Sequence, residues 1–157
     1  MEKYIIIYGA PNSGKTTTAS LLYLALVKLG ALNIGYKSKW FNNKPTKNKF
    51  GNYNDFVAIL EFKGKKIFIS TESDTSMSQK TIIDELLSSG GGSISMYVLC
   101  LRFNEKWGRA YAPIRDFLLQ REFCGDFKTV FSPERERAKV VKEENIETLT
   151  NVILKNI

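Results

Sequence analysis

The chain has 157 residues, enough for one domain that buries roughly two-thirds of its unfolded surface without a disulfide or metal staple. Apolar content of 43% and charged content of 25% are ordinary for a globular protein, and no apolar run approaches the ~20 residues of a membrane span. A formal charge of +7 without a single histidine excludes Ser-His-Asp and Cys-His catalysis and histidine metal sites, so a general base must be a carboxylate and a metal a hard cation on oxygen ligands.

Met1-Glu2-Lys3 leads at once into a strand-like run, without the charged start, h-region and cleavage site of a signal peptide. Cys100 and Cys124 lack CxxC spacing. Both features predict a cytoplasmic protein with reduced thiols. Tyr4-Ile5-Ile6-Ile7-Tyr8 suits a strand buried on both faces, as in a parallel sheet. Gly9 to Gly14 is a turn, and Lys15 to Leu29 is a helix with Leu21, Leu22, Ala25, Leu26 and Leu29 at helical spacing and Gly30 as its stop.

Asn33 to Lys37 is a short strand candidate. Lys39 to Asn54, broken by Pro45 and Gly51, is expected to be a long, flexible loop. Phe56 to Phe62 and Lys66 to Thr71 flank Lys63-Gly64-Lys65 and predict an antiparallel hairpin. Ser78 to Ser89 reads as a helix burying Ile82, Ile83, Leu86 and Leu87, and Ser95 to Leu101 as an apolar strand. Ala112 to Phe123 reads as a helix, Lys128 to Phe131 as a short strand, and Glu143 to Ile157 as a closing helix with Ile146, Leu149, Val152 and Ile153 on one face. The mixed-sign stretch Glu134 to Glu147 is a solvated helical surface. Strands alternating with helices predict an α/β layer fold around a mainly parallel sheet.

Gly9-Ala10-Pro11-Asn12-Ser13-Gly14-Lys15-Thr16 matches G-x-x-x-x-G-K-[ST] between a buried strand and an amphipathic helix. In that pattern the glycines permit a tight turn with positive φ, and the turned backbone aims several N–H groups at one anion. The helix start adds partial positive charge. Lys15 reaches the β- and γ-phosphates, the Thr16 hydroxyl ligates Mg²⁺, and Thr17 completes the binding segment.

On these residues the chain resembles the P-loop NTPase superfamily. The resemblance is strong over residues 4 to 30 and only topological beyond, with a likeness to small P-loop ATPases and nucleotide-kinase-like proteins. It implies a three-layer P-loop NTPase fold: a mainly parallel sheet carrying an antiparallel hairpin, helices on both faces, and nucleotide at the carboxyl edge. It also implies an apolar strand ending in an acid. Ile67-Phe68-Ile69 leads into Ser70-Thr71-Glu72-Ser73-Asp74, so Glu72 and Asp74 are the candidates, one holding Mg²⁺ (Asp74) and one orienting the attacking group. The first polar position is Ser70 rather than Asp, which displaces the usual aspartate; the alternative is a solvated acidic loop near a helix cap at Ser76 or Ser78.

Arg102 directly follows a strand and is expected at the P-loop edge, where its planar fork would neutralise phosphoryl charge. Lys106, Arg109 and Arg115 follow and resemble an arginine-bearing lid, although Arg109 and Arg115 read more simply as solvating residues. Asp55 reads as a turn-capping aspartate, with an approach to the phosphates as the alternative. Cys100 is a core residue, and Cys124 has no catalytic partner.

Five lysines (Lys37, Lys39, Lys44, Lys47 and Lys49) lie between Asn33 and Asn54 with no acid, leaving +2 for the rest of the chain. With Trp40, Phe41, Phe50 and Tyr53 they suit contact with nucleic acid or a phosphorylated substrate, against the plainer reading of a solvated loop. No guanine-reading Asn-Lys-x-Asp element is present, so ATP is preferred. Three functions follow as expectations: an ATPase that drives or gates a partner interaction, a small-molecule or nucleotide phosphotransferase, and a non-catalytic nucleotide sensor.

Overall fold

The strand Lys3–Gly9 (β1) has no polar side, and this decides the architecture. Side chains alternate across a strand, so Ile5 and Ile7 enter one apolar cluster and Tyr4 and Ile6 another. Both clusters need cover, which makes β1 an interior strand between two helical layers. The computed structural model describes residues 1–9, 14–35, 44–72, 76–88, 93–102, 114–129 and 135–157. In chain order the remaining elements are α1 (Lys15–Lys28), β2 (Leu32–Asn33), β3 (Val57–Phe62), β4 (Lys65–Ser70), α2 (Ser76–Ser88), β5 (Met96–Arg102), α3 (Arg115–Leu119), β6 (Glu122–Lys128) and α4 (Arg135–Asn156).

The strands form one sheet in the order β2-β3-β4-β5-β1-β6. Strands β4, β5, β1 and β6 are mutually parallel, while β3 runs antiparallel to both β2 and β4. The protein is therefore α/β with a mixed, mostly parallel sheet. Helices α1 and α4 cover the Ile5/Ile7 face through Ala19, Leu22, Leu26, Ile146, Leu149 and Ile153. Helices α2 and α3 cover the other face through Ile82, Ile83, Leu86 and Leu118.

Local chemistry explains most element ends. Helix α1 stops in a Schellman motif: Gly30 has φ 110°, its N–H donates to Val27 O (3.0 Å), and Ala31 N–H donates to Leu26 O (3.0 Å). The β3–β4 link is a tight turn in which Lys63 (φ 51°) and Gly64 (φ 74°) are both left-handed, the geometry that matches strand twist. Among the described residues no helix is long and apolar enough to cross a membrane.

Several expected boundaries are corrected. Half of the strand expected at Lys128 to Phe131, residues 130 and 131, lies outside the described residues, and among those described the helix expected over Ala112 to Phe123 is a single turn at Arg115–Leu119 followed by a strand over Glu122–Lys128. The open side of β1 takes this segment in parallel register, with a shift between Tyr4 and Ile5 as Tyr4 pairs with Phe123 and Ile5 with Gly125. That pairing overrides helical propensity. The second strand spans Leu32–Asn33 and does not continue through Ile34 and Gly35; the rest of the expected Asn33 to Lys37, residues 36 and 37, lies outside the described residues. Leu29 and Leu87, expected in the core, are exposed, because each lies at the end of its helix beyond the covered stripe. Helix α4 begins at Arg135, earlier than the expected Glu143.

At the amino edge of the sheet, Arg121 locks the chain start to the α3–β6 turn. Its guanidinium pairs with Glu2 (2.8 Å) and stacks on Phe117, 3.6 Å from the ring centroid. Tyr97 lies in the same cluster, its hydroxyl donating to Glu2 Oε1 (3.3 Å). Burial, and then the Glu2 charge, push the Tyr97 phenol up from 10.0 to about 12, with Arg121 opposing. A raised native pKa means the folded chain holds a proton that the unfolded chain releases. Stability from this group is complete below pH 10 and falls as pH rises toward about 12. An absorbance titration should show one phenolate appearing late, and Tyr97→Phe should remove that phase and lessen the alkaline loss of stability.

Candidate functional site

Strand β1 ends at Gly9 in register with Arg102, the last residue of β5. The antiparallel β3 starts where β4 ends, with Val57 opposite Ser70. Gly9, Ser70, Arg102 and the residues preceding Val57 therefore share the carboxyl edge of the parallel strands. This is where open α/β sheets collect ligands.

Of the motif residues, Ala10, Pro11, Asn12 and Ser13 lie outside the described residues. Gly14 caps α1 with φ 96° and ψ 18°, a left-handed conformation that costs glycine little. Its carbonyl accepts from Thr18 N–H (2.9 Å) and from the Thr18 hydroxyl (2.8 Å), which seals the first turn. That turn holds no acidic residue and no side-chain cap. Lys15 is only 5% exposed, and its ammonium folds back to donate to Gly9 O (3.0 Å). Thr16 and Thr17 are half-buried in the same turn. The site thus combines a helix start, with its partial positive charge, and a buried ammonium.

The Thr16 hydroxyl donates to Asp55 Oδ1 at 2.8 Å across 39 residues of sequence. This corrects the expectation of Asp55 as a local turn cap. The same oxygen also accepts from the Thr71 hydroxyl (3.1 Å), and Thr71 is itself fixed to Phe56 through its backbone N–H (3.1 Å) and by accepting from Phe56 N–H (2.8 Å). The antiparallel β3–β4 ladder thus delivers a carboxylate to the helix start from a neighbouring strand.

Ser70 occupies the position where an acid was expected and is fully buried. Its hydroxyl donates to Gln79 Oε1 (2.6 Å), and Gln79 Nε2 donates to Cys100 O (3.1 Å) and Ser70 O (3.4 Å). This buried latch ties α2 to the ends of β4 and β5. A carboxylate at Ser70 would be dehydrated beneath α2, a sufficient reason for a hydroxyl there. Nothing in the apolar period around Gln79 signals its role. Glu72 is half-buried just beyond β4, Asp74 lies outside the described residues, and Arg102 is described at its backbone only. Lys106 and Arg109 lie outside the described residues, and Arg115 is exposed in the first turn of α3.

Cys100 supports the helix start from below, its thiol 3.9 Å from Lys15 O. Burial pushes that thiol up to about 12, partly opposed by the Lys15 charge, so it stays neutral and is no nucleophile. Among the described residues no group of three or more Asp, Glu, Cys or His is assembled for a metal. At the start of α1 the Thr16 hydroxyl and the Asp55 carboxylate fit Mg²⁺, which keeps several waters and binds through one or two carboxylates plus substrate phosphates.

Comparison with protein-family models, with curated proteins and with solved structures returns no match for this chain.

Proposed function

We propose that this chain binds ATP with Mg²⁺ through Gly9 to Thr16 and hydrolyses it, to drive or gate a partner interaction. The observation that carries the reading is the convergence, at the start of α1, of the buried Lys15 ammonium, the Thr16 hydroxyl and the Asp55 carboxylate that Thr16 donates to. An ammonium and a helix start attract phosphate, while a hydroxyl and a carboxylate beside them suit the cation that travels with it. The triphosphate is the anion that the Gly9 to Thr16 pattern suits.

In this reading Lys15 moves from Gly9 O onto the β- and γ-phosphates, and the α1 amides receive the remaining charge. Thr16 and Asp55 would hold Mg²⁺, which would supply neutralisation of the developing phosphoryl charge. Glu72, at the same edge, orients a water that attacks the γ-phosphorus. The bond from that phosphorus to the bridging oxygen breaks, ADP leaves with the bridging oxygen, and the water's proton passes to Glu72. A second reading, phosphoryl transfer to an acceptor, draws its support from the register of Arg102 with Gly9.

The test is to incubate the purified chain with ATP and Mg²⁺, with and without candidate acceptors, and to measure phosphate release and transfer. Release without acceptor is the expected result. Acceptor-dependent ADP would establish the second reading, binding without turnover a sensor, and absence of ATP binding would end all three.

A further inference from the structure

The described part of the lysine-rich segment, residues 44–54, is a built arm. Lys47 and Tyr53 form an antiparallel bridge, and Asn54 N–H donates to Thr46 O (2.8 Å). Asn48 organises the tip: its Oδ1 accepts from Phe50 N–H (2.9 Å) and Asn52 N–H (3.1 Å), while its backbone donates to Asn52 O (2.8 Å) and accepts from Gly51 N–H (3.0 Å). Gly51, at φ 82°, supplies the left-handed step that turns the chain back. The arm then runs directly into Asp55 at the carboxyl edge.

This turn holds Phe50 77% exposed at its tip. A solvated turn gains nothing from a phenyl ring in water, and here the backbone is ordered around it. Lys49 Nζ lies 5.1 Å from the Phe50 ring centroid and Lys47 Nζ lies 5.0 Å from that of Tyr53. Each ring is therefore paired with a cation, and no acid occurs between Asn33 and Asn54. Flat π-faces alternating with ammonium groups match alternating bases and phosphates. An acidic protein surface would satisfy the lysines but leave the rings unused.

We propose that the arm over residues 44–54 binds single-stranded nucleic acid, with Phe50 stacking on a base and Lys47 and Lys49 contacting flanking phosphates. Fluorescence anisotropy of the full chain with a labelled oligothymidylate of about 20 nucleotides tests this, without ATP, against an abasic strand of equal length. The oligothymidylate should bind more tightly than the abasic strand, and Phe50→Ala should weaken it roughly 5- to 150-fold and reduce the preference by the same factor. Lys47→Gln with Lys49→Gln should reduce the slope of log affinity against log salt by about 1.4, the value for two phosphate contacts on a single strand. Unchanged melting of these exposed variants would show that the fold is intact. No binding at low salt, equal binding of both strands, unchanged binding by Phe50→Ala, or preference for a polyglutamate peptide would each overturn the proposal. Because ATP is absent, these results are independent of whether the Gly9 to Thr16 reading holds.

Discussion

Lys15→Met is expected to abolish useful ATP binding while leaving the chain folded. Losing a hydrogen bond to a charged group is worth about 1.5–3 kcal/mol, so affinity for MgATP should fall roughly 10- to 150-fold. The empty protein should lose at most what the Lys15 contacts, such as its hydrogen bond to Gly9 O, contribute. Methionine keeps the apolar stem volume and removes an ammonium that sits 5% exposed at the positive end of α1. Melting without ligand should fall only modestly, and the rise in melting temperature produced by MgATP should be lost. Calorimetric titration paired with thermal unfolding separates the two effects. Wild-type MgATP affinity in Lys15→Met would remove this lysine from the site.

Asp55→Asn should uncouple nucleotide binding from the metal. Asparagine retains an oxygen that can accept from Thr16, now 2.8 Å from Asp55 Oδ1, but carries no charge. Without metal, ATP should bind as well or better, because a carboxylate facing the triphosphate has been removed. The gain in affinity on adding Mg²⁺ should disappear, and Mn²⁺ used as a paramagnetic probe should give no protein-bound signal. Glu72→Gln should behave differently: it should keep the metal-dependent gain and lose phosphate release by about 100-fold or more, as for loss of a positioned base. If Glu72→Gln lost the metal response and Asp55→Asn kept it, the cation side would belong to the acids after β4.

Short-range pattern fixed the nature of most elements here. The unbroken apolar run Tyr4 to Tyr8 has no face for water, and it is an interior strand with Ile5 to Ile7 fully buried. Gly30 and the Lys63-Gly64 pair act through backbone conformations that their own neighbours read. These signals travel over a few residues, through a period of two or 3.6 and through φ, and so they survive in a linear string. Ser70 is intermediate: its departure from the expected acid was visible, but the reason, burial under α2 against Gln79, was not.

The pairings that cross the chain depended on strand order instead. Nothing near Glu122 announces that it begins a strand; the free side of β1, more than a hundred residues away, recruits it. Asp55 looks like a turn residue among its neighbours and reaches Thr16 because β3 runs antiparallel and starts where the parallel strands end. Residues 39–54 promised a basic loop, but the Asn48-centred turn that presents Phe50 arises from hydrogen bonds closing on one another. Side-chain periodicity encodes which faces must be buried. It does not encode which strand lies beside which, because that choice is settled by the packing energy of the whole sheet, and the carboxylate at the helix start follows from it.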